Sequence, residues 1–236
     1  MEHIDKLSGT FDKRCQDSAK TAVSAAVIKR LPRYHRYLGD LISAGRLRIS
    51  SAELSKIMGV TASQIRQDLN CFGGFGQQGY GYNIRYLYGK ISELLGVEEG
   101  YTVVIVGAGN LGRALASTRM FARRGVKRLA LFDNDESKIG TEVYGIKVYS
   151  VDELFDFCHK EQVDIGVLTV PKEVAYSTAK TMVAAGVKGI WNFANMELSL
   201  DDEGVAVENI HLGDSLMTLC YEVKSRSESL GEAKDE

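Results

Sequence analysis

The sequence predicts two domains of different class, a small helical domain with a β-hairpin followed by an α/β domain built on a parallel sheet. Three observations support this prediction. Apolar residues recur at helical spacing up to about residue 95, glycine and aromatic residues crowd residues 72–84, and strand-like and helix-like segments alternate from Tyr101 onward. A chain of 236 residues is long enough for two such domains.

Charge is divided unevenly between the two parts. Residues 1–90 hold 14 Lys and Arg against 7 Asp and Glu, a net charge of +7, whereas residues 91–236 carry a net charge of −9. This asymmetry suggests that the first part meets a polyanion. The sequence contains no apolar run near the about 18 residues that span a bilayer, and its N-terminus lacks the apolar core of a secretory signal. We therefore expect a cytoplasmic protein.

Cysteine and histidine usage predicts neither a metal site nor catalysis. The cysteines stand singly without a CxxC pair, which favours buried or incidental thiols at Cys15, Cys71, Cys158 and Cys220. A dehydrogenase needs an acid or base beside its cofactor, and none of the histidines lies in a recognisable catalytic context: His3, His35, His159 and His211. We therefore predict a protein that is not an enzyme.

The first domain, residues 21–97, follows a predicted mobile arm of residues 1–20, which has low hydrophobicity and no clear period. A helix is expected from Thr21 to Ala44, with Gly45 at its end. Pro32 would break or kink this helix, or else stand in the first turn of a second one.

Two short helices joined by a glycine turn come next, the pattern of a helix-turn-helix. Ser50 or Ser51 caps the first helix, Gly59 turns the chain, and Thr61 caps the second. Helical spacing turns Ile65 and Leu69 of the second helix inward and points four polar side chains outward: Gln64, Arg66, Gln67 and Asn70. An ordinary helical pair in some other domain remains the alternative.

Residues 72–84 suit a tight β-hairpin, or wing, whose glycines let the backbone approach a phosphate surface. A helix from Tyr86 to Leu95 and a linker from Gly96 to Gly100 follow. The wing, the basic charge and Arg66, which can bind guanine bidentately, together predict a winged-helix domain that binds duplex DNA. The predicted DNA contacts are Arg33, Ser51, Thr61, Ser63, Gln64, Arg66, Gln67, Asn70, Gly76, Gln77, Gln78, Gly79 and Tyr80.

The second domain, residues 98–210, alternates strands and helices in the manner of a doubly wound, Rossmann-type fold. The expected strands are TVVIVGAG, RLALFD, VDIGVLTV, KGIWNF and GVAVEN. The expected helices run from Asn110 to about Arg123 and through VDELFDFCHK and EVAYSTAKTMVAAG. Residues 211–236 complete the chain as a helix from about Gly213 to Lys224 and a disordered tail, SRSESLGEAKDE.

The segment GAGNLG follows the first strand and opens a helix, as a dinucleotide-binding turn requires. Gly107 permits the tight turn, Gly109 lets a pyrophosphate touch the backbone, and Gly112 lets the helix pack on the strand. The phosphates then meet the helix N-terminus.

Asp133 ends the second strand, where a carboxylate accepts the ribose hydroxyls of NAD and repels the extra phosphate of NADP. Lys138 lies close enough to weaken that preference. The predicted NAD(H) contacts are Gly107, Ala108, Gly109, Asn110, Leu111, Gly112, Asp133, Lys138, Thr169, Val170, Pro171, Asn192, Phe193 and Ala194.

Four segments together resemble the Rex family of redox-sensing transcriptional repressors: LPRYHRYLGDLISAG, SSAELSKIMGVTASQIRQDLNCFGGFGQQGYGYN, VVIVGAGNLGRALA and GIWNFA. The resemblance implies a homodimer with a C-terminal helix swapped between subunits and a palindromic operator. It further implies that NAD⁺ permits operator binding, that NADH closes the paired Rossmann domains and releases the DNA, and that fermentation or respiration genes of a bacterium are regulated.

Several positions depart from the family pattern. Gln67 and Asn70 stand where the recognition helix usually has Lys and Ser, and Gln77 and Gln78 replace two basic wing residues. Asn195 replaces a proline, and His211 replaces an acidic residue before the last helix. These changes affect operator choice and the contacts that close the family's domains.

Two other functions stay open on the residues alone. One is an NAD-dependent oxidoreductase with an accessory helical domain, which consumption of NADH with simple carbonyl substrates would reveal. The other is a CoA- or nucleotide-binding regulator with no DNA role, since similar Rossmann domains bind other phosphates. Binding to AT-rich palindromes separates it from a repressor.

Overall fold

The computed structural model describes residues 23–70, 76–77 and 81–232. The chain divides after Gly96 into two compact units, the N-terminal unit and the C-terminal unit. The predicted arm of residues 1–20, the hairpin residues 72–75 and 78–80, and residues 233–236 lie outside the described residues.

The N-terminal unit has the winged-helix architecture that the sequence predicts. Its elements are α1 (Ala25–Ser43), β1 (Arg48–Ile49), α2 (Ser51–Met58), α3 (Ala62–Asn70), β2 (Gly76–Gln77), β3 (Gly81–Asn83) and α4 (Ile84–Leu95). The strands form an antiparallel sheet in the order β1-β3-β2. β1, which the sequence analysis did not predict, thus anchors the hairpin beside the helix-turn-helix.

α1 is one continuous helix of 19 residues with Pro32 inside it, so the predicted break is wrong. Pro32 is exposed, whereas four apolar side chains of the same helix are buried: Val27, Leu31, Tyr34 and Leu38. A proline inside a helix removes one backbone hydrogen bond. Burial of a whole apolar face outweighs that loss, because each large apolar side chain contributes about 1.5–3 kcal/mol.

Caps define the helix-turn-helix as expected. The Ser50 hydroxyl accepts from the Glu53 backbone N–H at 3.1 Å, and Glu53 Oε2 accepts from the Ser50 N–H at 2.9 Å. This capping box settles Ser50 rather than Ser51 as the cap of α2. Gly59 ends α2 in the left-handed region with φ +64°, and the Thr61 hydroxyl accepts from the Gln64 N–H at 3.1 Å. Glycine takes that conformation without steric strain.

The C-terminal unit carries a seven-stranded sheet in the order β10-β9-β8-β4-β5-β7-β6. Its strands are β4 (Thr102–Val106), β5 (Lys127–Asp133), β6 (Glu142–Val143), β7 (Ile146–Ser150), β8 (Ile165–Leu168), β9 (Gly189–Asn192) and β10 (Ala206–Asn209). Its helices are α5 (Asn110–Ser117), α6 (Leu154–Glu161), α7 (Lys172–Ala184) and α8 (Leu212–Glu232). All pairings are parallel except that of β6 with β7. This is the predicted doubly wound fold.

The central strands are apolar on both faces, because helices cover the sheet on each side. Val104, Val106 and Phe132 pack in a core with α6 and α7, while Val103 and Ile105 point into the core on the α5 side. The run of consecutive valines and isoleucine in β4 therefore marks a strand buried on both faces.

Several elements of the C-terminal unit differ from the sequence predictions. α5 ends at Ser117 rather than Arg123, because Thr118 takes an extended conformation, and Ala122–Arg124 form only a 3₁₀ turn. The β6–β7 hairpin was not predicted. α8 runs to Glu232, so the prediction of a disordered tail is wrong for residues 225–232. Glu and Arg favour helix, and the Glu222–Arg226 pair at 3.9 Å supports it.

The thiol of Cys158 is buried in the core, which raises its pKa to about 12, and Cys220 is exposed. Cys15 and Cys71 lie outside the described residues.

Within the described ranges, acidic, histidine and cysteine side chains do not cluster in a way that could hold a metal ion. In the same ranges, none of the helices has the length and apolar character needed to cross a membrane.

Asp164 ties the amino ends of three strands together and makes the stability of this unit acid-sensitive. Its carboxylate accepts from the Thr102 N–H and hydroxyl, both at 3.0 Å, and from the Lys188 ammonium at 2.9 Å. Partial burial raises the pKa of Asp164, but these donors outweigh it and hold the pKa below the ordinary value of 3.8. Because the folded pKa is depressed, the stabilisation is present above that value and is lost as pH falls through the folded pKa.

We expect Asp164→Asn to lower the melting temperature at neutral pH and to make it less sensitive to acid below the ordinary aspartate value of 3.8. Thermal unfolding followed from neutral pH into the acid range measures both effects. Glu161→Gln, which removes an exposed carboxylate of the same unit, is the matched control and keeps the wild-type profile. A wild-type pH profile for Asp164→Asn would contradict this assignment.

Candidate functional site

The carboxyl ends of four neighbouring parallel strands meet at one edge of the sheet, and the predicted cofactor residues lie there. Backbone hydrogen bonds continue past the strand ends. The Gly107 N–H donates to Phe132 O at 2.8 Å, and the Phe193 N–H donates to Leu168 O at 2.9 Å. β4 and β8 are neighbours in the sheet. The connection after β4 leads to β5 on one side of this pair, and the connection after β8 leads to β9 on the other side. Such a reversal of strand order opens the crevice in which doubly wound folds bind ligands.

The glycine turn after β4 is packed so tightly that two of its positions exclude any side chain. Gly107 has φ +101°, and a Cβ there would lie 2.6 Å from the carbonyl oxygen of Thr169. A Cβ on Gly112 would overlap the carbonyl oxygen of Gly107. Thr169 closes this contact by donating its hydroxyl to Gly107 O at 2.8 Å. α5 therefore begins directly against the end of the strand.

Gly109 differs from these two glycines, because a Cβ at this position would meet nothing within 4 Å. It precedes Asn110 at the start of α5, and among the described residues no side chain caps that helix. The first-turn N–H groups and the helix dipole favour an anion there. The turn thus leaves open space where a pyrophosphate would approach the backbone, and the residues present fit a dinucleotide.

Asp133, the predicted ribose-binding carboxylate, holds the glycine turn. Its Oδ2 accepts from the Ala108 N–H at 2.7 Å and from the Lys138 ammonium at 3.2 Å, and its Oδ1 accepts from the Asp135 N–H at 2.9 Å. Burial raises the pKa of Asp133, but these donors outweigh it and lower the pKa overall. The carboxylate is therefore ionised at neutral pH, as the predicted hydrogen bond to a ribose hydroxyl requires.

Asp135 is a residue that the sequence analysis missed. Its carboxylate is half-exposed and lies 3.4 Å from the Lys138 ammonium, which also pairs with Asp133. Two carboxylates against one ammonium leave a net negative charge at the end of β5. The weakening of NAD preference that we expected from Lys138 stays a prediction. The sequence did offer a signal for Asp135, namely a second acidic residue two positions after Asp133.

An amide pair shapes the loop that follows β9. Asn192 is fully buried, and its Nδ2 donates to Met196 O at 2.9 Å and to Asn209 Oδ1 at 2.8 Å. Asn192 Oδ1 accepts from the Ala194 N–H at 3.0 Å. Asn209, which the sequence analysis did not single out, thus fixes a loop that contains two predicted cofactor residues, Phe193 and Ala194.

The remaining predicted cofactor residues lie around the same edge. Leu111 is half-buried in α5, and Val170 and Pro171 connect β8 to α7. His211 precedes α8, and its Nε2 lies 3.4 Å from Glu197 Oε2. Glu197 belongs to the loop that Asn209 fixes. Asn195, one of the departures from the family pattern, is exposed on the same loop.

In the N-terminal unit, α3 presents a polar surface that we define by Ser63, Arg66, Gln67 and Asn70, all of which are exposed. Arg66 Nη1 donates to the Ser51 hydroxyl at 3.2 Å. The structure thus brings the predicted base reader together with a second predicted DNA contact from α2. Thr61 is exposed at the start of the same helix.

Two predicted DNA contacts have internal partners. Gln64 is half-buried, and its Nε2 donates to Asp68 Oδ1 at 2.8 Å, so the prediction that it points outward is wrong. Buried Asp68 needs donors, and Gln64 stands one helical turn before it. The Arg33 guanidinium donates to the carbonyl of Met58 at the end of α2, where a cation stabilises the helix terminus.

The wing is described only in part. Gly76 pairs with Tyr82, and Gln77 pairs with Gly81 in antiparallel register, as a hairpin requires. Gln78, Gly79 and Tyr80 lie outside the described residues, so their predicted DNA contacts stay predictions.

Two of the described histidines, His35 and His159, make packing contacts. The His35 ring stacks on Tyr88 with centroids 4.3 Å apart and contacts the Ser92 hydroxyl at 3.0 Å. The His159 ring stacks on Phe155 at 6.0 Å. His3 lies outside the described residues. Neither of these two contacts places an imidazole at the carboxyl edge of the sheet; His211, which follows β10, is the described histidine on that side.

Two known families match separate parts of the chain. Residues 22–70 match the family described as "Putative DNA-binding protein N-terminus", and residues 98–196 match the "CoA binding domain" family. The first match covers the helix-turn-helix, and the second covers the glycine turn and the sheet edge. The second family's name corresponds to the phosphate-binding alternative that the residues alone left open.

Full-length relatives are described as "Redox-sensing transcriptional repressor Rex". The protein from Caldicellulosiruptor saccharolyticus is 52% identical over 207 residues, which cover 88% of this chain and 94% of the relative. The protein from Clostridioides difficile is 51% identical over 202 residues, which cover 86% and 96%.

Solved structures show the same likeness. The crystal structure of RSP in complex with β-NAD⁺ and operator DNA has a TM-score of 0.82 and 48% identity, covering 92% of this chain and 99% of RSP. RSP in complex with β-NADH has a TM-score of 0.81 and 44% identity, covering 89% and 99%.

We expect Gly112→Ala to lower the melting temperature of the protein and to weaken NADH binding, because the new Cβ displaces α5 from the end of β4. In a free helix alanine is favoured over glycine by about 1 kcal/mol. Gly89→Ala in α4, where a Cβ meets nothing within 4 Å, is therefore the control and raises stability. Calorimetry and NADH titration of both variants measure the effects. Equal stabilisation by the two alanines would contradict the packing described for Gly112.

Proposed function

The chain belongs to the Rex family of redox-sensing transcriptional repressors, and from that membership we propose that it represses transcription in response to the NADH/NAD⁺ ratio. The observation that carries the proposal is the coexistence of two sites in one chain. The C-terminal unit has a glycine turn open to a pyrophosphate at Gly109, and the N-terminal unit has an exposed polar surface on a capped recognition helix.

The proposed ligand of the C-terminal unit is NAD⁺ or NADH. The N–H groups at Gly109 and Asn110 bind the pyrophosphate, and Asp133 accepts a ribose hydroxyl at Oδ1. The loop held by Asn192 and Asn209 receives the nicotinamide end. RSP has been crystallised with both redox forms, and the net negative charge of Asp133, Asp135 and Lys138 favours NAD(H) over NADP(H).

The proposed ligand of the N-terminal unit is duplex operator DNA, with α3 in the major groove. Arg66 suits a bidentate hydrogen bond to guanine, and Gln67 and Asn70 suit adenine. The basic charge of residues 1–90 supplies the phosphate attraction that is independent of sequence. Glutamines at 67 and 77, where the family usually carries basic residues, shift the balance from phosphate attraction toward base recognition.

We further propose a homodimer that binds a palindromic operator, since two-fold operators mirror two-fold proteins. α8 leaves six large apolar side chains exposed along its length: Leu212, Leu216, Met217, Leu219, Tyr221 and Val223. An apolar stripe of this size on a monomer marks an interface, and a helix swapped with the partner subunit covers it.

The nicotinamide cofactor acts in this proposal as an effector rather than a reactant. The rings of His35 and His159 have stacking partners, and His211, which follows β10, has its Nε2 3.4 Å from Glu197 Oε2. From membership in a family of repressors we propose that the chain is not an enzyme and that it works in the cytoplasm, where its operator lies. The oxidoreductase alternative predicts turnover of NADH with a carbonyl substrate, and the repressor predicts none.

The direct test is operator affinity measured in parallel with NAD⁺ and with NADH. We expect NADH to weaken binding by about 10-fold or more, which requires NADH to prefer the form of the protein that does not bind DNA. Linkage demands that operator DNA weaken NADH binding by the same factor, so titration of NADH with and without operator is an internal check. Equal operator affinity with the two redox forms would refute redox sensing.

Arg66→Ala should weaken operator binding by about 1–3 kcal/mol and relax one base position, because a bidentate base contact is lost. NADH affinity should stay at the wild-type value. Binding to a set of operators with single base changes measures both effects. Lys160→Ala, which removes an exposed cation of the C-terminal unit, controls for net charge. Wild-type operator affinity for Arg66→Ala would exclude Arg66 as the base reader.

A further inference from the structure

The recognition helix contains a buried carboxylate that the proposed function does not use. The side chain of Asp68 is 1% exposed and accepts four hydrogen bonds. Arg30 donates Nε to Oδ2 and Nη2 to Oδ1, both at 2.7 Å. The Tyr34 hydroxyl donates to Oδ2 at 2.9 Å, and Gln64 Nε2 donates to Oδ1 at 2.8 Å. We call these four residues the Asp68 clasp.

Stability alone does not explain this arrangement. A carboxylate taken out of water loses several kcal/mol of solvation, and a well-packed apolar side chain in its place is often equally stable or more so. An acidic group on a helix that faces DNA also opposes the phosphates unless it is neutralised. Arg30 neutralises it, and Tyr34 and Gln64 supply two further hydrogen bonds to the same carboxylate, which indicates that the group sets the geometry of the helix.

The clasp joins two turns of α1 to two turns of α3. Arg30 and Tyr34 stand four residues apart on α1, and Gln64 and Asp68 stand four residues apart on α3, so each pair shares one helix face. The planar guanidinium binds both carboxylate oxygens, which restricts rotation of α3 about its own axis as well as sliding along it.

Arg66 and Gln67 lie between Gln64 and Asp68 in sequence and are exposed on α3, with Arg66 opposite the face that Gln64 and Asp68 share. A side-chain tip lies about 6 Å from a helix axis. A rotation of α3 by about 10° therefore moves such a tip by about 1 Å, enough to weaken a hydrogen bond to a base edge. Contacts to phosphates tolerate such shifts better, since they depend mainly on charge.

We propose that Arg30, Tyr34 and Asp68 are positioning residues for sequence-specific DNA binding, which hold the recognition helix in the rotation at which its exposed side chains meet base edges. Gln64 belongs to this clasp rather than to the base-contacting set. The inference rests on the proposed function, because it assumes that α3 reads DNA. Its signature is loss of discrimination between operator and other DNA, with general DNA affinity retained.

The experiment measures the affinity of the full-length chain for its operator and for a scrambled duplex of the same composition. The ratio of operator affinity to scrambled-duplex affinity is the measure of specificity. Tyr34→Phe removes one hydrogen bond and keeps the apolar ring, and we expect it to lower the ratio by about 3- to 10-fold. Asp68→Asn leaves the Arg30 charge unpaired, and we expect the ratio to fall by about 10-fold or more while scrambled-DNA affinity is kept or raised.

Glu93→Gln is the matched control for Asp68→Asn, because it makes the same charge change at an exposed ion pair of the same unit, Lys90–Glu93. It should leave the ratio at the wild-type value. NADH affinity should be unchanged in all variants, which separates an effect on α3 from an effect on the C-terminal unit.

A triple variant, Arg30→Met with Tyr34→Phe and Asp68→Leu, covers the case in which Asp68→Asn fails to fold. Removing the Tyr34 hydroxyl together with both charges avoids a buried hydroxyl that has lost its acceptor. Apolar replacement of a buried ion pair restores or raises stability, and we expect the melting temperature to recover while the ratio stays low. A wild-type ratio in Tyr34→Phe and in the triple variant would overturn the positioning role. If the wild-type chain itself does not distinguish its operator from scrambled DNA, the proposed function is wrong and the inference falls with it.

Discussion

Close packing at the end of β4 is the constraint that shapes the carboxyl edge of the sheet, where the predicted cofactor residues lie. The helix that follows this strand can begin against it only if Gly107 and Gly112 carry no side chains, because a Cβ on either would meet backbone carbonyl oxygens. Thr169 reinforces the contact by donating to Gly107 O. The result is a helix N-terminus aimed along the carboxyl edge of the sheet, where free N–H groups favour a phosphate.

The same constraint explains why the acid at the end of β5 is buried. The Ala108 N–H in the turn between Gly107 and Gly109 is buried, and Asp133 accepts from it at 2.7 Å. A buried N–H without a partner would cost about 1–3 kcal/mol. The carboxylate thus supports the turn before any ribose is present. Asp135 and Lys138 supply the rest of the charge pattern on the solvent side.

Both units use a buried polar group to set the geometry of the surface that meets a ligand. In the C-terminal unit Asn192 donates its side-chain amide to Asn209 Oδ1, and the two side chains hold the loop after β9 through Ala194 and Leu198. In the N-terminal unit Asp68 connects α3 to α1. Within the described residues every buried side-chain nitrogen and oxygen has a hydrogen-bond partner. A fully matched polar group specifies one arrangement where apolar packing would accept several.

The sequence by itself determined the features that local patterns encode. Alternating strands and helices, the glycine turn at Gly107 and the caps at Ser50 and Thr61 follow from residue type and spacing, which act over a few residues. These patterns were sufficient to predict the winged helix and the doubly wound sheet, and they placed the predicted cofactor residues at one edge of that sheet.

Only the tertiary structure decided which polar groups are partners. Gln64 has the spacing of an outward side chain, yet it bonds to Asp68, whose other donors stand 34 and 38 residues away on α1. Asn209 contacts Asn192, which stands 17 positions earlier in the chain. Pro32 stays within a continuous helix because an apolar face is buried around it. Each outcome depends on burial and on contacts between residues distant in sequence, and these have no signature in the local period of the chain.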